Sequence, residues 1–158
     1  MNRSKATFAA GCFWGVQSSY DQLQGVLKTT VGYTGGNKKN PTYEQVCSDK
    51  TGHAEAVQVE FDQDRISYGD LVRHFFSMHD PTTPNRQGPD VGSQYRSAIF
   101  YHDEEQRKTA EVNKKELDSG DIFPRPIVTE ITPASEFYMA EEYHQKYFEK
   151  NGFVGCHF

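Results

Sequence analysis

Cys12 is the residue with the most reactive chemistry in this chain, and its neighbours are suggestive. It follows Gly11 and precedes Phe13 and Trp14. Residues 5–10 read as a short strand, and Phe13, Val16, Tyr20 and Leu23 recur at helical spacing. Cys12 therefore falls where a strand hands over to a helix. A helix N-terminus offers free N–H groups and a partial positive charge. Both favour the thiolate, which is the nucleophilic form of cysteine. Gly11 lets the chain turn, and Phe13 and Trp14 supply apolar walls. From these residues alone, a buried structural cysteine in a βα turn would look the same.

Glu55 adds acid chemistry. It shares strand parity with Val57, Val59 and Phe61 and so points to their apolar face. A carboxyl there is desolvated, its pKa rises, and it can serve as a general acid near neutral pH. The alternative is a fraying strand end that turns Glu55 into solvent. Tyr43 and Tyr95 each edge an expected element and could offer a phenol O–H to a substrate oxygen, or be core or rim aromatics. Asp90 could orient a tyrosine, water or backbone amide, or simply form a turn. His53 could pair with Cys12 as a base, or be a surface-turn histidine. Glu104, Glu105 and the charges up to Glu116 read as a solvated helix face.

The bulk composition narrows the classes. The net charge is -5 and no Lys/Arg run exceeds two, so no nucleic-acid footprint is visible. The three cysteines, at 12, 47 and 156, form no C-x-x-C, which argues against structural zinc. Their odd number argues against a secreted disulfide scaffold and suits a reducing, cytoplasmic setting. Arg3, Lys5 and the run into Cys12 faintly mimic a lipoprotein signal, but the apolar stretch falls short of the roughly 7–15 residues required. No stretch approaches the roughly 20 apolar residues of a membrane span.

The elements that must position these residues follow from pattern. Val26 to Tyr33 is strand-like and ends at Gly35-Gly36, and Pro41-Thr42 can open a short helix to Cys47. Glu55 to Phe61 alternates as a strand, and Ser67 to Asp70 forms a capping box for a helix through Leu71, Phe75 and Met78. Residues 80–92 hold three prolines and two glycines and should form a long surface loop without regular structure. Strands are expected at Tyr95–Tyr101 and Ile127–Ile131. Helices are expected at Asp103–Leu117 and from about Ala134 to Lys150. The order implies one α/β (α+β) domain over 1–158, a two-layer sandwich with much coil. A parallel doubly wound sheet is disfavoured, because the strands are short and amphipathic.

The motifs resemble those of the A-type peptide methionine sulfoxide reductases. Gly11-Cys12-Phe13-Trp14-Gly15 is followed in family order by Gly32-Tyr33-Thr34-Gly35-Gly36 and Pro41-Thr42-Tyr43-Glu44-Gln45-Val46-Cys47. Next come Gly52-His53-Ala54-Glu55-Ala56-Val57, His79-Asp80-Pro81-Thr82-Thr83 and Asp90-Val91-Gly92-Ser93-Gln94-Tyr95-Arg96-Ser97. Glu141-Glu142-Tyr143-His144-Gln145-Lys146-Tyr147 closes the set, so the resemblance spans nearly the whole chain.

The resemblance implies a ferredoxin-like core with a mixed, mostly antiparallel sheet and flanking helices. It implies Cys12 as nucleophile, Glu55 as proton donor, Tyr43 and Tyr95 as the phenols that bind the sulfoxide oxygen, and Asp90 as a supporting residue. Phe13 and Trp14 would hold the substrate's methyl group. Cys156 would be the resolving cysteine on a mobile tail, 151–158. Only His157 and Phe158 follow it, which implies a single Cys12–Cys156 bridge rather than a two-disulfide relay. Cys47 matches a family cysteine without an assigned step. The implied activity is reduction of methionine S-sulfoxide, in proteins and free, through a Cys12 sulfenic acid. The implied reductant is thioredoxin or dithiothreitol, with no metal or organic cofactor, acting on a monomer.

Three rivals have discriminating tests. A cysteine hydrolase using Cys12 and His53 would turn over an ester. A module that only binds oxidised methionine would survive loss of Cys12. A thiol peroxidase would use a peroxide, which a protonated Glu55 and two phenols suit less well than a neutral sulfoxide.

Overall fold

The computed structural model describes residues 2–120 and 122–150. Six strands form one sheet: β1 (Arg3–Ala10), β2 (Val26–Thr34), β3 (Ala54–Asp62), β6 (Ser97–Tyr101), β7 (Glu130–Pro133) and β8 (Tyr138–Met139), ordered β7-β6-β1-β3-β2-β8. Every pairing is antiparallel except β6 with β7. Helices α1 (Phe13–Asp21) and α3 (Tyr68–Met78) complete a β1-α1-β2-β3-α3-β6 unit. That is the ferredoxin-like arrangement.

Alternation along the strands builds two faces. Phe8, Val57, Val59 and Phe61 join Tyr20, Leu71 and Phe75 beneath α1 and α3, and α4 (Glu104–Ser119) packs on α3. On the reverse face Ala9, Ala56, Ala98 and Phe100 meet Ala134 and Phe137. Caps fix the helix starts. Ser67 and Asp70 form a reciprocal capping box on α3, and Thr42 and Gln45 form another on α2 (Tyr43–Cys47). Asp103 accepts from the Gln106 amide at 2.8 Å to start α4. Each such cap is worth about 1 kcal/mol.

The expected elements up to α3 stand within a few residues of their places, and several later expectations need correction. First, the 80–92 stretch is not wholly irregular. β4 (Arg86–Gln87) and β5 (Asp90–Val91) pair as a small hairpin around Gly88-Pro89. The buried Gln87 amide ties that hairpin to the Asp80 backbone at 2.9 and 2.8 Å. Second, the 127–131 strand forms three residues later. The Ile127 and Val128 amides are spent on Asp118 and on the Pro81 carbonyl, and Tyr95 sits in a 3-10 turn (Ser93–Tyr95) rather than in β6.

Third, Ala134–Lys150 is not one helix. It contains β8, a 3-10 turn (Glu142–His144) and the short α5 (Tyr147–Lys150). The edge of β2 claims its hydrogen bonds. The Gln145 amide accepts from Val31 N–H and donates to the Val31 carbonyl, both at 3.0 Å, like an added strand residue. The Ala140 amide also donates to Val31. Residues 134, 137, 140 and 147 keep helical spacing, so periodicity alone could not reveal the strap.

Candidate active site

Sheet register gathers the expected residues at one edge. Ala10 of β1 pairs with Ser97 of β6, and Tyr33 of β2 pairs with Glu55 of β3. Cys12 lies two residues beyond Ala10, Tyr95 two before Ser97, and α2 shortly after β2. Gly11, at φ +97, makes the sharp exit from β1 that a side chain would strain. Cys12 is then the N-cap of α1.

Glu55 is 1% exposed. Its Oε1 accepts the Phe13 amide at 3.2 Å, and its Oε2 is buried with no partner among the described residues. Burial above all, aided by the negative field of Asp90 and opposed by the Phe13 amide, raises its pKa from 4.5 to about 8. Glu55 is therefore a neutral acid at pH 7 with one oxygen unspent.

Cys12 departs from expectation. The amides of Trp14 and Gly15 do lower its pKa, but burial first, and the fields of Glu55 and Asp90 with it, push it up to about 12. The resting group is a thiol. A helix end's partial charge does not offset loss of solvent beside two carboxyls.

Tyr43 packs its ring 6.5 Å from Phe13 and 4.4 Å from His144. Tyr95 lies within the electrostatic reach of Glu55, Cys47, Asp90 and Cys12. Burial raises both phenols above their ordinary range, so each keeps a proton to donate. Phe13 is buried against Tyr33, and Trp14 stacks on Tyr147 at 3.8 Å. Cys47 is exposed, and its sulfur lies against the Tyr43 hydroxyl.

His53 does not join this group. It is 2% exposed rather than on a surface turn. Its Nδ1 accepts the Gly36 amide at 3.0 Å and its Nε2 meets the Lys38 carbonyl at 2.6 Å. Both ring nitrogens hold the 35–38 loop, so the hydrolase reading loses its base. Cys156 and the expected tail 151–158 lie outside the described residues.

Two residues emerge that no single-residue reasoning singled out. Glu141 accepts the Tyr33 hydroxyl at 2.9 Å and the Tyr43 amide at 3.0 Å. Burial would raise its pKa, but the Tyr43 amide and Tyr33 hydroxyl outweigh that and hold it low. His144 is fully buried and its Nδ1 accepts the Trp14 indole N–H at 3.0 Å. Their signal lay only in the motif at 141–147. Among the described residues, no group of three or more His, Cys, Asp or Glu could hold a metal, and no helix is long and apolar enough to cross a membrane.

A half-buried sulfur, a neutral carboxyl and two phenols at one edge of a ferredoxin-like sheet fit a cysteine-dependent reductase. The sequence model of the peptide methionine sulfoxide reductase family matches residues 4–158. The peptide methionine sulfoxide reductase MsrA of Methanosarcina acetivorans is 62% identical over 150 residues, which is 95% of this chain and 80% of the relative. The crystal structure of Saccharomyces cerevisiae Mxr1 in reduced form superposes with a TM-score of 0.91 at 36% identity, covering 99% of this chain and 92% of that one. Mxr1 in complex with Trx2 matches with a TM-score of 0.65 at 27% identity, covering 92% and 85%. The chain belongs to the peptide methionine sulfoxide reductase family.

Proposed function

We propose that this protein reduces the S epimer of methionine sulfoxide, free and in proteins, and so repairs oxidative damage. The observation that carries the reading is Glu55: a buried carboxyl, neutral at pH 7, whose Oε2 has no partner among the described residues. A neutral sulfoxide oxygen is the acceptor such a group lacks. Glu55 and the Tyr43 and Tyr95 hydroxyls donate to that oxygen and stabilise the charge that grows on it. Phe13 and Trp14 receive the S-methyl group, and Asp90 supports the site.

The Cys12 sulfur attacks the sulfoxide sulfur as Glu55 protonates the oxygen, and the thiol proton restores Glu55. The hydroxyl then moves to the Cys12 sulfur as the new S–S bond and the old S–O bond both break, leaving methionine and a sulfenic acid. Cys156 attacks that sulfenic acid, forming a Cys12–Cys156 disulfide and water. Thioredoxin, or dithiothreitol in vitro, returns both thiols. The relative bound to Trx2 supports this reductant. In this reading residues 1–158 act as one monomeric, cytoplasmic domain that needs no metal or organic cofactor.

The test is incubation with racemic methionine sulfoxide and dithiothreitol, then chiral analysis of what remains. The R epimer should remain and the S epimer disappear. Equal loss of both epimers, or loss of neither, refutes the reading.

A further inference from the structure

We infer that the site selects methionine sulfoxide in basic stretches of polypeptide, taking sulfoxides flanked by Lys or Arg over those flanked by Asp or Glu. This rests on the reductase reading above and names the substrate class of that same site.

Four carboxylates from three stretches of chain stand near the site's side chains. Glu44 is exposed on α2. Asp49 follows α2, and its Oδ1 accepts from the Ser93 amide at 3.1 Å and from the Ser93 hydroxyl, which holds it beside the turn that carries Tyr95. Asp90 acts on Cys12, Glu55 and Tyr95. Glu141 bonds the Tyr43 amide and, with Glu44, acts on the 57% exposed Tyr143. Among the described residues, none of these four carboxylates is in an ion pair.

The neighbouring cations are spent elsewhere or do not act here. Arg96 bonds Glu130 at 2.9 Å and the Ser93 carbonyl, Lys146 bonds Asp21 at 2.7 Å, and Lys150 pairs with Glu142. Lys38, Lys39 and Lys50 lie nearby in sequence. Yet among the described residues no lysine or arginine is one of the main charged groups acting on Cys12, Glu55, Tyr43, Cys47, Tyr95 or Tyr143.

The reacting group is neutral, so this field does not bind the sulfoxide. It acts on what accompanies it. Adjacent Cα atoms of a polypeptide are about 3.8 Å apart, so residues beside the sulfoxide must lie at this rim. A cleft lined by one sign of charge raises the local concentration of the opposite sign. Exposed pairs are weak, so each flanking charge should change kcat/KM by about two- to fivefold.

The test uses three capped peptides that differ only in the residues flanking methionine S-sulfoxide: Lys on both sides, Ala on both sides, or Glu on both sides. Dithiothreitol is the reductant, so thioredoxin docking plays no part. At low ionic strength kcat/KM should fall in the order Lys, Ala, Glu, by at least about sixteenfold from first to last over the four charge steps, and the spread should close in about 0.5 M salt. Glu44→Lys should shrink the Lys-to-Glu ratio by at least about twofold and leave the Ala peptide unchanged. Equal constants for all three peptides, a preference that salt does not alter, or an unchanged ratio in Glu44→Lys would overturn charge selection while leaving the reductase reading intact. Failure to reduce even the Ala peptide would overturn both.

Discussion

Glu55→Gln should make the protein more stable and less active at once. The unfolded carboxyl loses its proton near its ordinary pKa of 4.5, whereas the folded one keeps it up to about 8. Below pH 4.5 both states are protonated and the group is neutral towards stability. As pH rises from there to about 8, the folded chain binds a proton that the unfolded chain has lost, so stability falls. Above about 8 the loss is complete. At 1.36 kcal/mol per pKa unit it amounts to about 5 kcal/mol, a large part of the 5–15 kcal/mol that holds a domain together.

Gln cannot ionise and keeps an oxygen for the Phe13 amide. Urea unfolding of both proteins should therefore give similar stabilities near pH 4.5 and a widening advantage for Glu55→Gln towards pH 9. In the same samples, single-turnover reduction at pH 7 should drop by about 10²–10⁴ in Glu55→Gln, because an amide is a poor proton donor. The wild-type rate should decline as pH passes about 8, and the deficit of the variant should be smallest in acid. Stability curves that stay parallel from pH 4.5 to 9 would refute the raised carboxyl. Equal single-turnover rates at pH 7 would refute the donor.

Cys12→Ser should fold normally and lose all reduction of methionine sulfoxide, and activity retained in a folded variant would sink the central assignment. Cys156→Ser should release one methionine per enzyme at near wild-type rate and then stop as a sulfenic acid trapped by dimedone. Undiminished thioredoxin-driven turnover would remove Cys156 from the cycle and point to Cys47 or to direct reduction. His53→Ala should leave single-turnover chemistry within about fivefold while destabilising the fold by about 1–3 kcal/mol, because the Gly36 amide and Lys38 carbonyl lose a partner. Abolished chemistry in a folded His53→Ala would restore a base role.

What the sequence settled by itself was local or periodic. Cys12 at a strand-to-helix junction followed from Gly11 and the 3.6-residue stripe of α1. Two-residue parity with Val57, Val59 and Phe61 offered Glu55 the apolar face, since adjacent side chains on a strand cannot share a face, and the pairing of β3 with β2 at Tyr33 decided it against a frayed end in solvent. The capping box of α3 was legible for the same reason: its partners lie three residues apart. Other properties are decided by residues far apart in the chain. The Cys12 thiol stays protonated first because packing strips it of solvent, and then because β3 brings Glu55 beside it, 43 residues on in the numbering. His53 is removed from the chemistry by the 35–38 loop that claims both its nitrogens. The 134–150 segment keeps a helical pattern yet becomes a strap, because β2 offers an unpaired edge at Val31 that Gln145 and Ala140 can satisfy. Local propensity is worth a few tenths of a kcal/mol per residue, and an unmet buried backbone group costs about 1–3 kcal/mol, so the sheet edge decides that segment and with it where Glu141 and His144 stand.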